Sequence, residues 1–231
     1  MPSIVFEHVH SYYESGKGGE RIHALNDFCA VFESGKVHAI VGENGSGKST
    51  LLKCVCDFQA YEGRILLGEK DIADILTKNR HIAYVPQESA LNPGQNVFEN
   101  ISFPLIIAKK KADEVRLLTY AIASELKISN FLNRKVSEVS KGQLQRVSLA
   151  KALVKEAEVY LLDEPFANLD RENKKIGFSL LKKKMERNDS ICLLVTHDPM
   201  DALEFCDSIT TIERGGCVSQ RKKITGGKGN L

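Results

Sequence analysis

The residues best suited to chemistry are Gly42-Glu43-Asn44-Gly45-Ser46-Gly47-Lys48-Ser49. They satisfy G-x-x-x-x-G-K-[ST] at every fixed position, a spacing that cradles phosphate. Glycines let backbone amides curl round an anion with no Cβ in the way. The spacing puts the Lys48 ammonium on the β- and γ-phosphates and the Ser49 hydroxyl on Mg²⁺. Further on, Val159-Tyr160-Leu161-Leu162 runs into two carboxylates, Asp163 and Glu164. Asp163 suits a metal and Glu164 an attacking water. His197 follows the apolar run Ile191 to Val195, ahead of Asp198-Pro199, a pair fitted to start a helix. Ser140 and Gln143 have capping-box spacing, and Gly142 between them permits close approach to a helix N-terminus that can hold an anion.

These groups need a scaffold that brings them to one edge. Val37 to Val41 predicts a short buried strand before the glycine loop, and Thr50 to Val55 the opening of a helix after it. Ile4 to Val9, Ala24 to Phe32, Gly63 to Gly68 and His81 to Val85 read as further strands, with Glu14 to Gly19 joining the first two. Runs such as Val159 to Leu162 and Ile191 to Val195 lack alternation, as strands of a parallel sheet do when both faces are covered. Their C-terminal ends are where α/β sheets hold ligands. Residues 89–157 differ. Val115, Leu118, Ile122 and Leu126, then Leu144, Val147, Ala150 and Val154, recur at helical spacing, which predicts a mostly helical insertion in an α/β chain. Thr225 to Leu231 reads as a frayed tail.

Composition narrows the classes. A net charge of +2 over 231 residues gives no global basic field for nucleic acid. The clusters Lys109-Lys110-Lys111, Lys182-Lys183-Lys184 and Arg221-Lys222-Lys223 read as solvated helix faces or tail. Six cysteines, at 29, 54, 56, 192, 206 and 217, contain no C-x-x-C pair and read as free, buried thiols of a reducing compartment. No basic-then-apolar N-terminus and no run of about twenty apolar residues is visible, so any membrane role is expected through a partner.

Taken together, the motifs resemble the nucleotide-binding subunit of ATP-binding-cassette (ABC) transporters over nearly the whole chain. Gly42 to Thr50 matches the phosphate loop, Gln87 the glutamine loop, and Val139-Ser140-Lys141-Gly142-Gln143 with Leu144-Gln145-Arg146 the signature. Asp163 and Glu164 match the Mg²⁺-site aspartate and catalytic glutamate, Ala167 to Asp170 the loop that crosses to a partner subunit, and His197 the switch histidine. The resemblance implies an α/β fold: a P-loop NTPase core with a mixed, mostly parallel sheet, an antiparallel β subdomain and an inserted helical subdomain. The division is 1–88 and 158–220 for the core, 89–157 for the helical lobe and 221–231 for the tail.

It further implies ATP and Mg²⁺ as cofactors. Gly42, Asn44, Gly45, Ser46, Gly47, Lys48, Ser49 and Thr50 would bind the nucleotide, with Tyr13 stacking on adenine and Tyr12 the alternative. Ser49, Gln87 and Asp163 would serve the metal; Glu164, His197 and Lys48 would be catalytic. Ser140, Gly142 and Gln143 would close over the γ-phosphate of a second ABC ATPase subunit, in a homo- or heterodimer. Separate transmembrane permease subunits would hold the chain on the cytoplasmic face of the membrane, with no nucleic acid involved. Val97 to Leu105 looks like a segment of importer ATPases, and a non-transport ABC-type ATPase, such as a division-type one, is the other class. The sequence departs from the family pattern at Val139 and Lys141, where the signature usually has Leu and Gly, and at Ala167 and Asn168 in the crossing loop. Lys141 is expected near phosphate oxygens across the dimer.

Overall fold

The computed structural model of the protein describes residues 3–15 and 20–222. Residues 16–19 of the expected joining loop and 223–231 of the expected tail lie outside the described residues.

Two sheets share the chain. β1 (Ser3–Ser15), β2 (Glu20–Glu33), β4 (Glu62–Leu67) and β5 (Lys70–Asp71) form an antiparallel sheet in the order β2-β1-β4-β5. β3 (Lys36–Val41), β6 (Ile82–Val85), β7 (Val159–Asp163), β8 (Ile191–Val195), β9 (Ser208–Glu213) and β10 (Gly216–Lys222) form the second, in the order β10-β9-β3-β8-β7-β6. It is parallel except where β10 pairs antiparallel with β9. β7 and β8 are buried at every residue, which is why neither alternates. One face of this sheet packs on α1 (Lys48–Val55) and the antiparallel sheet, through Leu51, Leu52, Phe28 and Val159 among others. The other face packs on helices, through Leu162, Leu194, Val147 and Phe178.

Between β6 and β7 the chain is helical: α2 (Val97–Ile107), α3 (Ala112–Glu125) and α4 (Lys141–Leu153). Val97, Ile101, Val115, Val147 and Ala150 belong to the same buried cluster as the sheet residues Val37 and Leu162, so this segment shares the core. α2 begins with a capping box between Asn96 and Glu99. α5 (Arg171–Asn188) and α6 (Pro199–Phe205) complete the set, with Asp198 capping α6 and Pro199 in its first turn.

Several expectations are corrected. The last strand runs to Lys222, so Arg221 and Lys222 are not tail; Lys222 bonds Glu33 on β2. Lys182 pairs with Asp207 at 3.2 Å and Lys184 is half-buried, leaving Lys183 as the exposed member of that cluster. Cys29 is exposed and Cys217 half-buried, while the other four cysteines are buried. His81 lies before β6 with φ +48°, and Gly63 sits inside β4, where a Cβ would stand 2.2 Å from the His8 carbonyl oxygen. Among the described residues no helix is long and apolar enough to cross a membrane.

Candidate active site at the ends of three parallel strands

β3, β7 and β8 end at one edge in register: Ile40 faces Val195, and Val195 faces Asp163. The chain leaves β3 into the glycine loop, β7 into Asp163-Glu164 and β8 into Thr196-His197, so sheet pairing alone assembles groups far apart in sequence. Two hydrogen bonds extend this register beyond the strands. The Glu164 amide donates to the Val195 carbonyl at 3.0 Å, and the Thr196 amide to that of Ile40 at 3.2 Å.

The loop needs its glycines for two separate reasons. Gly47 has φ +104°, and a Cβ there would sit 2.2 Å from the Ala24 carbonyl oxygen. A Cβ on Gly42 would sit 2.3 Å from the Ile212 carbonyl oxygen. The Gly215 amide donates to the Ser46 carbonyl at 3.1 Å. The β9–β10 hairpin therefore buttresses the loop, a role the sequence did not reveal because neither strand is a continuous apolar run.

Lys48 is 6% exposed, and its ammonium donates to the Gly42 and Glu43 carbonyls at 2.9 and 2.7 Å. Burial pushes its pKa down, opposed by the Glu164 and Asp163 carboxylates. Asp163 is 3% exposed, and its Oδ1 is buried without a hydrogen-bond partner. Burial raises its pKa, and a hydrogen bond from Ser49 opposes that rise. A buried, under-satisfied carboxylate oxygen beside a serine hydroxyl is a donor set for a hard divalent cation, which takes oxygen ligands. The residues present therefore fit Mg²⁺.

Glu164 adopts φ +51°, uncommon for a residue with a side chain. Its Oε1 lies 3.3 Å from His197 Nδ1, with the glutamate 17% and the imidazole 58% exposed. Gln87, exposed after β6, lines a cavity of about 330 Å³ with Asp163, Glu164, Gln145 and Asn168. Lys141 lines the same cavity, so it borders its own chain's carboxylates. Tyr13 reaches the start of α1, its hydroxyl 3.2 Å from Thr50 Oγ1, whereas Tyr12 packs edge-on against His23. Of the two tyrosines, Tyr13 is the one joined to the loop helix.

Ser140 and Gln143 form the expected capping box, the Ser140 amide donating to Gln143 Oε1 at 2.8 Å and the Gln143 amide to Ser140 Oγ at 3.3 Å. The close approach that Gly142 permits is to its own chain: a Cβ would lie 2.8 Å from the Asn168 carbonyl oxygen. Gln145 adds a bridge that sequence reasoning passed over. Its amide nitrogen donates to the Glu164 carbonyl at 3.3 Å, and its Oε1 accepts the Asn168 amide at 2.8 Å. The available signal was a polar residue beside the apolar stripe of α4. Lys174 is the second omission: it bonds Asp198 at 3.1 Å and Asp201 at 2.6 Å, fixing the turn after His197.

The chain is similar to known proteins. A family model described as ABC transporter matches residues 25–167. The chain is 34% identical over 216 residues to the ABC transporter ATP-binding protein YurJ of Bacillus subtilis, covering 93% of this chain and 57% of the relative. It is 34% identical over 213 residues to the maltose/maltodextrin import ATP-binding protein MalK of Mannheimia succiniciproducens, covering 90% and 56%. The chain thus spans a little over half the length of these two relatives. Among solved structures, it is similar to a dimeric ATP-binding cassette in a post-hydrolysis state bound to ADP and Pi, with TM-score 0.86 and 28% identity, over 95% of this chain and 98% of that one.

Proposed function

The chain belongs to the ABC transporter family, and from that premise we propose that it binds and hydrolyses ATP to power substrate movement across a membrane through separate transmembrane subunits. The observation that carries this reading is the convergence of Lys48, Ser49, Asp163, Glu164 and His197 at adjoining strand ends.

The loop amides of Gly42, Asn44, Gly45, Ser46 and Gly47 and the N-terminal end of α1 would cradle the phosphates, since helix starts present unpaired amides and a positive dipole end. Lys48 would exchange its loop carbonyls for β- and γ-phosphate oxygens. Thr50 and Tyr13 are already joined, and Tyr13 would stack on adenine. Ser49, Asp163 and Gln87 would hold Mg²⁺, which supplies charge neutralisation on the phosphate oxygens. Glu164 would take a proton from water as the water oxygen bonds to the γ-phosphorus and the bond to the ADP oxygen breaks, giving ADP and Pi. His197 would orient Glu164 and contact the γ-phosphate. Ser140, Gly142 and Gln143 would act on the ATP held by a second cassette, a helix start aimed at developing phosphoryl charge. Asn168 and its crossing loop, packed on Gly142, would carry that closure back to Glu164 through Gln145.

Dimeric cassettes among its solved relatives support the pairing, and relatives named import ATP-binding proteins favour an importer over a non-transport ATPase. Such a chain would sit peripherally on the cytoplasmic face of the membrane, held by its permease subunits. The test has two parts. Purified chain with Mg²⁺ and ATP is expected to release ADP and Pi, and tagged chain is expected to come from membranes with polytopic subunits. Hydrolysis combined with recovery on ribosomes or DNA would overturn the transport role.

A further inference from the structure

We propose that the exposed face of the β1–β2 ribbon carries a divalent transition-metal site, of the Zn²⁺ class, made by His8 Nδ1, Asp27 Oδ1 and Cys29 Sγ. These atoms lie within 4.8 Å of one another. His8 Nδ1 is 2.6 Å from Asp27 Oδ1 and 3.8 Å from Cys29 Sγ. Tetrahedral Zn²⁺, with bonds of about 2.0–2.3 Å, sets its ligand atoms about 3.3–3.8 Å apart. Closing the site therefore takes shifts of about 1 Å or less, within the freedom of exposed side chains.

Sheet pairing explains why no cysteine spacing announced the site. β1 and β2 slip register between Phe6 and Val9, and Val9 faces Phe28. His8 falls in that irregularity with φ +50°, and Asp27 falls in the next one, between the Val9–Phe28 and Ser11–Leu25 pairs, with φ +51°. Asp27 and Cys29, two residues apart on β2, share the exposed face, and the bulge at His8 re-aims its side chain to meet them; Cys29 points outward between the buried Phe28 and Ala30. β4 locks the irregularity, because Gly63 admits the His8 carbonyl where no Cβ would fit.

Supporting bonds match the chemistry. The His8 backbone amide donates to Cys29 Sγ at 3.2 Å, which holds the sulfur beside the imidazole. The Asp27 amide donates to His10 Nδ1 at 3.2 Å, so His10 braces Asp27 as a support, not a ligand. A nitrogen, an oxygen and a sulfur donor suit Zn²⁺ or Co²⁺ better than Mg²⁺ or Ca²⁺, which take oxygen. Three protein ligands leave a fourth position for water. On binding, the metal takes the lone pair of His8 Nδ1, the neutral ring carrying its proton on Nε2, and displaces the thiol proton of Cys29 to solvent. This site lies outside the nucleotide site, and its existence does not depend on the ATPase reading.

The test is a titration of the full chain with Co²⁺, followed by displacement with Zn²⁺ measured against a chromophoric chelator. One equivalent should give thiolate-to-cobalt charge-transfer absorption, lost when Zn²⁺ is added. Cys29→Ser should abolish the band, and Asp27→Asn and His8→Asn should each weaken Zn²⁺ binding by about tenfold or more. Asn tolerates the left-handed backbone at both positions, so these variants keep the fold. Asp163→Asn should leave the band unchanged. Absence of the band in the folded wild-type chain, or Zn²⁺ affinity unaltered by His8→Asn and Asp27→Asn, would overturn the site.

Discussion

His197 Nδ1 stands 3.3 Å from Glu164 Oε1, at the ends of two neighbouring parallel strands. The glutamate is the more enclosed of the pair, so the imidazole borders it on the solvent side. If the two act as one unit on a single water, their losses are not additive. Glu164→Gln should retain ATP binding and slow turnover by on the order of a hundredfold or more. Adding His197→Ala to it should cost little further. Steady-state hydrolysis of both single variants and the double variant measures this, and full additivity would separate the two roles.

Asp163 links stability to function through its burial. Its pKa in the folded protein is raised, so the folded state holds this proton more tightly than the unfolded chain. Stability from this group is therefore present below its ordinary value and is lost as pH rises through the folded value. Above that ordinary value the buried carboxyl is a cost. Asp163→Asn should melt at a higher temperature than wild type at neutral pH, and the gap should narrow in acid. The same variant should lose Mg²⁺-dependent ATP binding. Melting curves across pH, with nucleotide binding measured with and without Mg²⁺, check both halves.

The loop glycines are not equivalent. Gly45 and Gly47 both have positive φ, +81° and +104°, but an added Cβ meets nothing within 4 Å at Gly45 and the Ala24 carbonyl oxygen at 2.2 Å at Gly47. Gly45→Ala carries backbone strain alone, about 1–2 kcal/mol. Gly47→Ala adds a collision with backbone and should cost more than about 3 kcal/mol in total. Denaturant unfolding of the two variants should rank them in that order.

Gln145 bridges the Glu164 carbonyl and the Asn168 amide. Gln145→Ala removes its bonds to the Glu164 carbonyl and the Asn168 amide, and should cost about 1–3 kcal/mol of stability. A purely structural role would end there. Through Glu164, the variant should also lower kcat while leaving the KM for ATP nearly unchanged.

How much of this was legible depended on distance along the chain. The phosphate loop, the Asp163-Glu164 strand end and the Ser140–Gln143 box are local patterns, and the structure gives each the expected strand, turn or cap. β9 was missed because Ser208 to Glu213 alternates buried and half-buried residues and carries two threonines in place of a solid apolar run. α2 was passed over as a helix because it is apolar on several faces and contains Pro104. Contacts made by pairing left no local trace. Gly42 against Ile212 and His8 beside Cys29 are each settled by sheet register and not by spacing. Lys141 shows the opposite limit: its position at the start of α4 was obvious, yet its place beside the cavity that Glu164 also lines depended on packing.

The proposed dimer builds each ATP site from the loop of one subunit and the Ser140–Gln143 helix start of another. It is tested most directly by mixing two inactive variants, Lys48→Ala and Ser140→Arg, and measuring ATP hydrolysis. In a two-fold dimer, mixed pairs combine an intact loop with an intact helix start at one site. The account predicts turnover well above the sum of the separate variants. Turnover no higher than that sum, with mixed dimers shown to form, would contradict it.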